Sequence, residues 1–468
     1  MNKARVVIIG LGHHAKRIYF PIIKDCERES NVALAGIIDV VSEEEKINRF
    51  LSENVTNVPT CFVEPENFDR ALITQFTESL NANCVIISTS PDSHSIYADW
   101  AIDNGLHILM DKPVTAVENS AHNSESAKKI HKEYIGLLKK LRSKRESRPD
   151  LVFEIMTQRR HHPAFKLMKS TIEEVYQKTS CPVTYYYGFH NDGQWRLPSE
   201  IRDLDYHGFT GGNGKASHSG YHFYDLLSWL TEGASLEKPT ELLNVKSWAN
   251  YPVNYVKQID ENVINKAFPG SIVESVFPKD FNNFGEVDVM STIQLCSGGY
   301  VMTHAQIDLQ HSGFSTRSWP SIDNRDIYKK NGRVRHEQHY INMGPFLAIS
   351  LTSWQSKPFC SEDMLNKEIY SPGHEFNLDI DIFRNTEIIG GKPVESYCLP
   401  DIYRPDLQNY SRGHQEDARK NAVKEFFELI SVGKNVGSSA LESHILTSKI
   451  ISMVYESLSN KAEVSSGV

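Results

Sequence analysis

The chain has 468 residues, of which 40% are hydrophobic and 23% are charged, and its net charge is −9. Because this length exceeds what a single hydrophobic core usually accommodates, two domains are expected. The negative charge argues against a nucleic-acid partner, since contacts with phosphates require a local excess of Lys and Arg.

A short apolar run near the start of the chain is followed by a glycine-rich turn. Residues 6–9 (Val-Val-Ile-Ile) are typical of a buried parallel strand, and they lead into a G-x-G-x-x-A sequence. In such a turn Gly10 makes the tight bend, Gly12 lets the backbone approach a pyrophosphate, and Ala15 allows a helix to pack closely. His13 and His14 are expected beside the pyrophosphate because the loop passes there. The pattern predicts a dinucleotide-binding motif.

The same apolar run is too short for a signal peptide or a membrane span. Seven cysteines are scattered along the chain without a C-x-x-C pair, which is typical of a reducing compartment. A cytoplasmic protein without a membrane partner is therefore expected.

The second predicted strand, residues 32–38, ends at Asp39. A carboxylate at this position accepts hydrogen bonds from the adenosine ribose and repels a 2′-phosphate. No arginine follows directly, which favours NAD over NADP as the cofactor. Lys46 could still approach a 2′-phosphate, so NADP stays possible.

Two further predicted strands end in polar residues. Residues 84–87 lead to Ser88 and Thr89, and residues 106–110 lead to Asp111, Lys112 and a proline. In an open parallel sheet, ligands bind at the carboxyl ends of the strands. Ser88, Thr89, Asp111 and Lys112 are therefore predicted cofactor contacts. Lys112 is also a candidate catalytic residue. An ordinary turn at the end of a strand is the alternative interpretation of the Asp-Lys-Pro triplet.

The pattern of elements predicts the fold class. Strands and helices alternate over residues 1–148, which indicates a Rossmann domain with a doubly wound parallel sheet. Over residues 149–468, strands with alternating polarity and a Gly298-Gly299 hairpin signal predict an α/β domain with an open, mostly antiparallel sheet.

A predicted helix at residues 220–230 carries His222 on the same stripe as Leu226 and Trp229. A single histidine on such a stripe is more often a core residue with a hydrogen-bond partner. The glycine turn and the Asp-Lys-Pro triplet upstream favour a catalytic role instead.

With these motifs the sequence resembles the glucose–fructose oxidoreductase and inositol dehydrogenase family (Gfo/Idh/MocA). The resemblance rests on the glycine turn, the segment from Ser88 to His94, Asp111-Lys112-Pro113 at the family's E-K-P position, Trp195-Arg196, and Gly211-Gly212 through Gly220-x-His222-x-x-Asp225. It implies NAD(P)-dependent oxidation or reduction of a sugar, cyclitol or related polyol. It also implies that the second domain binds substrate and mediates assembly into a homo-oligomer, a dimer or a tetramer.

The resemblance implies roles for individual residues. Lys112 would transfer the proton, and His222 would contact the reacting oxygen. The family commonly has an aspartate where this chain has His218. We expect His218 to orient His222. Because an imidazole supplies no fixed negative charge, the rate or the substrate could differ from those of the family. The candidate substrate contacts are Arg160, Trp195, Arg196 and Asp225, for which salt bridges or core packing are the alternative.

Three other functions are compatible with the sequence. One is an NAD-dependent glycosidase on the same scaffold, in which the cofactor is oxidised only transiently. Another is a protein that senses a cofactor without catalysis. The third is a metalloenzyme using His218 and His222, but the glutamate of H-E-x-x-H and a third ligand are missing, so no metal is expected.

Overall fold

The structure is a computed structural model that describes residues 3–29, 32–54, 56–64, 68–194, 201, 208–232, 238–258, 260, 262–263, 281–311, 313–315, 333–356, 370–374, 376–403 and 414–468. The chain forms two compact units, each built from several segments. The first unit contains Met1–Ala116, His131–His162 and Gln415–Ile445, and the second contains Val117–Ile130, Pro163–His414 and Leu446–Val468. The linear division at residue 148 stays a prediction, and it differs from these units because the first unit also includes later segments.

The first unit is built on a six-stranded parallel sheet. Its strands are β1 (Ala4–Ile9), β2 (Val32–Val40), β3 (Thr60–Val63), β4 (Cys84–Ile87), β5 (His107–Asp111) and β6 (Phe153–Met156). They lie in the order β3-β2-β1-β4-β5-β6, and all neighbours are parallel. This is the order of a doubly wound dinucleotide-binding sheet, so the predicted Rossmann architecture is confirmed.

The helices of the described chain are distributed over both units. They are α1 (His13–Arg17), α2 (Tyr19–Glu29), α3 (Glu44–Glu53), α4 (Arg70–Ser79), α5 (His94–Asp103), α6 (Ser124–Ser147), α7 (Gln158–His161), α8 (Pro163–Thr179), α9 (Tyr221–Thr231), α10 (Pro252–Gln258), α11 (Thr386–Ile389), α12 (Leu399–Ile402), α13 (His414–Val432) and α14 (Ile445–Asn460). Within the described ranges, no helix combines the length and the hydropathy that a membrane span requires.

A distant helix completes the core of the first unit. Val423 and Phe426 of α13 are fully buried, and they belong to the same apolar cluster as Val6, Ile8 and Ile37 of the sheet. Burying side chains of this size stabilises a fold by about 1.5–3 kcal/mol each. The first unit therefore depends on a helix that lies far from the rest of it in sequence.

The second unit is built on a nine-stranded sheet. Its strands are β7 (Tyr185–Asn191), β8 (Leu242–Asn250), β9 (Asp288–Ser297), β10 (Tyr300–Gln310), β11 (Val334–Met343), β12 (Leu347–Ser356), β13 (Asp379–Arg384), β14 (Val394–Cys398) and β15 (Val464–Gly467). The order is β14-β13-β12-β11-β7-β10-β9-β8-β15. Only the β7–β10 pair is parallel among the described strands. The predicted open, mostly antiparallel sheet is confirmed.

The hairpin between β9 and β10 forms where the glycine pair predicted it. Ser297 pairs with Tyr300, and the two residues between them, Gly298 and Gly299, have φ values of 58° and 80°. Two consecutive positive φ angles are typical of the tight turns that match the twist of paired strands.

Candidate functional site

Two glycines in the turn after β1 have different surroundings. Gly10 has a φ of 86°, and a Cβ added there would lie 2.7 Å from the carbonyl oxygen of Ser88. A Cβ added at Gly12 would meet no atom within 4 Å. Glycine is thus required at residue 10 by the packing of the turn itself, whereas Gly12 borders open space that a ligand could approach.

Asp39 is tied to this turn by its carboxylate. Its Oδ2 accepts a hydrogen bond from the Leu11 backbone N–H at 2.6 Å, and its Oδ1 accepts one from the Val40 N–H at 2.7 Å. Burial raises the pKa of Asp39 above its usual value, and the two N–H donors oppose this rise. The carboxylate therefore lies at the carboxyl end of β2, against the backbone between Gly10 and Gly12.

Asp111, at the end of β5, is held by side chains from neighbouring elements. Its Oδ2 accepts a hydrogen bond from Ser88 Oγ at 2.6 Å, and its Oδ1 accepts one from the Tyr19 hydroxyl. His14 Nε2 lies 3.7 Å from Oδ1, and burial lowers the pKa of His14 to about 4, so that this imidazole is neutral near pH 7. Both oxygens of Asp111 thus fix the strand end immediately before Lys112, and Tyr19 is a member of this group that the sequence did not indicate.

His94 connects the loops after β4 and β5. Its Nδ1 lies 2.8 Å from the Pro113 carbonyl oxygen, and its Nε2 lies 3.2 Å from the Thr89 carbonyl oxygen. The side chain is fully buried, and burial lowers its pKa. Lys112 itself is half-buried. His94 therefore holds the backbone on both sides of Lys112 and was missed as a site residue, although it lies in a segment that carries the family resemblance.

In the second unit, His222 lies in the first turn of α9 and is 6% exposed. Gly220 precedes the helix, where an added Cβ would lie 2.5 Å from Leu309 Cδ1 and 2.7 Å from the Ala216 carbonyl oxygen. His218 lies before the helix, in a turn where its N–H donates to the Gly214 carbonyl oxygen. His218 and His222 do not share a helix face, because α9 begins only at Tyr221.

The turn before α9 is fixed by a buried pair of side chains. The Tyr455 hydroxyl accepts hydrogen bonds from the Gly214 and Ser217 N–H groups, at 3.2 and 3.0 Å. It donates to Glu286 Oε1 at 3.0 Å, which also accepts from the Ala216 N–H at 2.8 Å. Burial raises the pKa of Glu286 to about 7. Hydrogen bonds from the N–H groups of Gly214, Ala216 and Ser217 thus set the backbone that leads to His222.

A buried charge cluster fixes the same turn to the sheet. Lys215 Nζ donates to Asp192 Oδ2 at 2.6 Å, and His311 Nδ1 lies 3.2 Å from the same oxygen. Although burial opposes ionisation, Lys215, His311, His190 and Arg333 hold the pKa of Asp192 well below its usual range. This cluster joins the ends of β7 and β10 to the segment that carries His222.

Residues 4–135 match a family model named GFO_IDH_MocA, described as an oxidoreductase family with an NAD-binding Rossmann fold. Over these residues the chain is similar to the Gfo/Idh/MocA oxidoreductase family. A comparison with curated protein sequences finds no match.

Solved structures of low sequence identity share the whole fold. One is a levoglucosan dehydrogenase in complex with NADH and L-sorbose, with 14% identity, a TM-score of 0.61 and 99% coverage of each chain. Another is an aldose-aldose oxidoreductase from Caulobacter crescentus complexed with glycerol, with 12% identity, a TM-score of 0.58 and 99% coverage of each chain. A third is a putative myo-inositol dehydrogenase from Sinorhizobium meliloti 1021, with 12% identity, a TM-score of 0.55 and 99% coverage of each chain.

The resemblance and the nicotinamide cofactor expected from the sequence are thus confirmed at the level of the Gfo/Idh/MocA family, whose fold binds NAD. The residues of the first unit also fit such a cofactor. Gly12 borders open space, and Asp39 lies beside it with a carboxylate that can accept further hydrogen bonds. Among the described residues, no group of His, Cys, Asp and Glu could hold a metal ion.

Two of the four predicted substrate contacts, Arg160 and Asp225, lie in the part of the chain that the structure describes. Arg160 is 1% exposed, and its Nη1 donates to the Ser438 carbonyl oxygen and to Ser443 Oγ. Asp225 is fully buried and accepts a hydrogen bond from Thr447. These contacts fit the structural alternative for Arg160 and Asp225, and their contact with a substrate stays a prediction. Trp195 and Arg196 lie outside the described residues.

Proposed function

We propose that this protein is an NAD-dependent dehydrogenase or reductase that transfers a hydride between the nicotinamide and a CH–OH group of a sugar, cyclitol or related polyol. The observation that carries the proposal is the open space at Gly12, beside Asp39 and at the same edge of the sheet as Asp111 and Lys112. Ligands bind at this edge in doubly wound sheets. The sugar and polyol dehydrogenases among the structural neighbours support the substrate class.

The cofactor-binding residues we propose are those at the carboxyl ends of β1, β2, β4 and β5. They are Gly10, Gly12, His13, His14, Ala15, Asp39, Ser88, Thr89, Asp111 and Lys112. The nicotinamide supplies the hydride chemistry when it is bound. The protein must then hold the geometry and move one proton.

Lys112 is the residue we propose for that proton transfer, acting as a general acid or base on the substrate hydroxyl. Its backbone is fixed by Asp111 on one side and by the contact of His94 with Pro113 on the other. A fixed backbone limits the positions that the lysine amine can reach, which favours one reacting geometry. By the family resemblance, His222 would donate a hydrogen bond to the reacting oxygen and His218 would orient it.

The proposal is tested by titrating the purified protein with NAD⁺ and NADP⁺ and then following reduced cofactor over a panel of sugars and cyclitols. Binding of a nicotinamide cofactor together with reduction by at least one polyol would support it. A protein that binds neither cofactor would overturn it.

Asp39 is expected to set the choice between the two cofactors. In Asp39→Ala, the ratio of the dissociation constants for NADP⁺ and NAD⁺ should fall about fivefold or more, because a like charge about 4 Å away costs at least ~1 kcal/mol even in water. Asp39→Asn is the matched control for shape, since its amide oxygen can still accept from the Leu11 N–H. If both variants keep the wild-type ratio, another residue sets the preference.

We further propose that the protein forms a homo-oligomer through one face of the nine-stranded sheet. The strand register places Trp248, Met290, Phe189 and Trp354 on that face, and Trp248 and Met290 are 48% and 40% exposed. Apolar side chains spread across one open sheet face are typical of protein interfaces. Trp248→Glu should lower the molar mass measured by analytical ultracentrifugation, and a wild-type monomer would contradict the proposal.

A further inference from the structure

Helix α13 forms ion pairs with the two helices that follow the glycine turn. Glu416 of α13 lies 3.8 Å from Arg17 of α1, and Lys420 lies 3.3 Å from Asp25 of α2. The apolar side of α13 is anchored in the core of the same unit through Val423. These contacts fix the position of the residue between Glu416 and Lys420 that faces the turn, Arg419.

Arg419 is half-buried, and its charge interacts with Arg17 of α1, with Glu416 of its own helix and with Asp111 at the end of β5. Burial lowers the pKa of Arg419 to about 10, and the positive charge of Arg17 lowers it further, against the attraction of Glu416 and Asp111. The positive charge of Arg419 also acts to lower the pKa of His14 and that of Tyr19. Arg419 therefore places a positive charge close to the loop that contains Gly12.

The acidic groups near Arg419 are engaged elsewhere. Glu416 pairs with Arg17, and both oxygens of Asp111 accept hydrogen bonds from Ser88 and Tyr19. Within the part of the chain that the structure describes, no acceptor lies within hydrogen-bonding or ion-pair distance of the Arg419 guanidinium. A guanidinium that is partly withdrawn from water without an ion-pair partner is costly to the fold.

An anion bound at the turn would remove that cost. The guanidinium presents a planar set of donors that matches the oxygens of a phosphate, and such charge-assisted contacts are short and strong. The open space at Gly12 provides room for a phosphate group close to the backbone.

We propose that Arg419 of α13 binds the pyrophosphate of the dinucleotide, so that a helix from the C-terminal part of the chain contributes to the cofactor site. This inference rests on the proposed function, because it assumes a dinucleotide at the glycine turn. It assigns Arg419 a role in binding and none in proton transfer.

The test compares Arg419→Met with the adjacent control Lys420→Met by calorimetric titration of NAD⁺, ADP-ribose and adenosine. ADP-ribose carries the pyrophosphate without nicotinamide, and adenosine carries neither phosphate. Arg419→Met should weaken NAD⁺ and ADP-ribose by about tenfold or more while adenosine is unaffected. Lys420→Met should bind all three as the wild type does, because loss of the partly exposed Lys420–Asp25 pair changes little while Val423 and Phe426 keep α13 in the core.

Thermal unfolding separates a binding role from a structural one. Without ligand, Arg419→Met should melt at the same temperature as the wild type or higher, because it removes an unpartnered charge. Its rise in Tm on adding NAD⁺ should be smaller than that of the wild type.

Three results would overturn the proposal. A lower Tm without ligand together with unchanged NAD⁺ affinity would make Arg419 a structural residue. Equal binding of ADP-ribose by wild type and Arg419→Met would also remove it from the site while leaving the proposed function intact. If the wild type binds neither NAD⁺ nor ADP-ribose, the proposed function fails as well.

Discussion

Lys112→Met is expected to lower kcat by about 100- to 10,000-fold on a polyol that the wild-type enzyme oxidises, because that is the usual contribution of a general acid or base. Cofactor affinity should fall far less than kcat, since the methionine keeps an unbranched apolar side chain and only the amine is lost. The measurement is steady-state reduction of the cofactor, combined with a binding titration of NAD⁺ for each variant.

Lys128→Met is the matched control. Lys128 is an exposed lysine of α6 whose amine lies 3.0 Å from Glu125, and its loss should leave kcat unchanged. Near-normal turnover in Lys112→Met would remove this lysine from the mechanism, and it would leave His222 or a water molecule as the proton carrier.

Gly12→Val is expected to weaken NAD⁺ binding by at least about tenfold while the protein still folds. A Cβ at residue 12 meets no protein atom within 4 Å, so the branched side chain occupies only the space that a pyrophosphate needs. Binding is measured by titrating NADH fluorescence, and folding by thermal unfolding without ligand.

Two other glycines serve as controls for this variant. Gly136 of α6 also faces open space, so Gly136→Val should bind NADH normally. Gly10→Ala should unfold at a lower temperature, because its Cβ would lie 2.7 Å from the Ser88 carbonyl oxygen. Unchanged NADH affinity in Gly12→Val would contradict a dinucleotide site at this turn.

Local sequence patterns are sufficient to predict both sheets and the turns between their strands. The β-branched run before Gly10 and the acid at Asp39 are local signals of a parallel nucleotide-binding sheet, and the structure has them at adjacent strand ends. The Gly298-Gly299 pair is an equally local signal, since two positive φ angles are required there. Such features depend only on neighbouring residues, so they can be recognised without the fold.

The remaining site residues could not be predicted because their roles come from distant contacts. No local motif marks Tyr19 or His94 in the sequence. Only the fold brings Tyr19 to Asp111 and His94 to the backbone beside Lys112. Arg160 shows the opposite case. Its residue type predicts a ligand contact, which stays a prediction, and only the structure shows that its guanidinium donates to Ser443 Oγ.

In the second unit, the sequence likewise indicates the local motif but not the distant residues that hold it in place. The motif around His222 was visible in the sequence, whereas Glu286 and Tyr455, which fix the preceding turn, come from segments far along the chain. Their polar groups gain a role only because the fold places them against the backbone N–H groups of residues 214–217.

The most direct test of the central claim is the fate of a deuterium label. The purified protein would be incubated with NAD⁺ and a panel of sugars and cyclitols that carry deuterium at their CH–OH carbons, and the cofactor and products would be analysed by mass spectrometry. We predict deuterium in the reduced cofactor, in amounts equal to the oxidised product. A cofactor that binds but stays oxidised and unlabelled with every polyol, or a sugar that is cleaved without net reduction of NAD⁺, would contradict the assignment as a dehydrogenase.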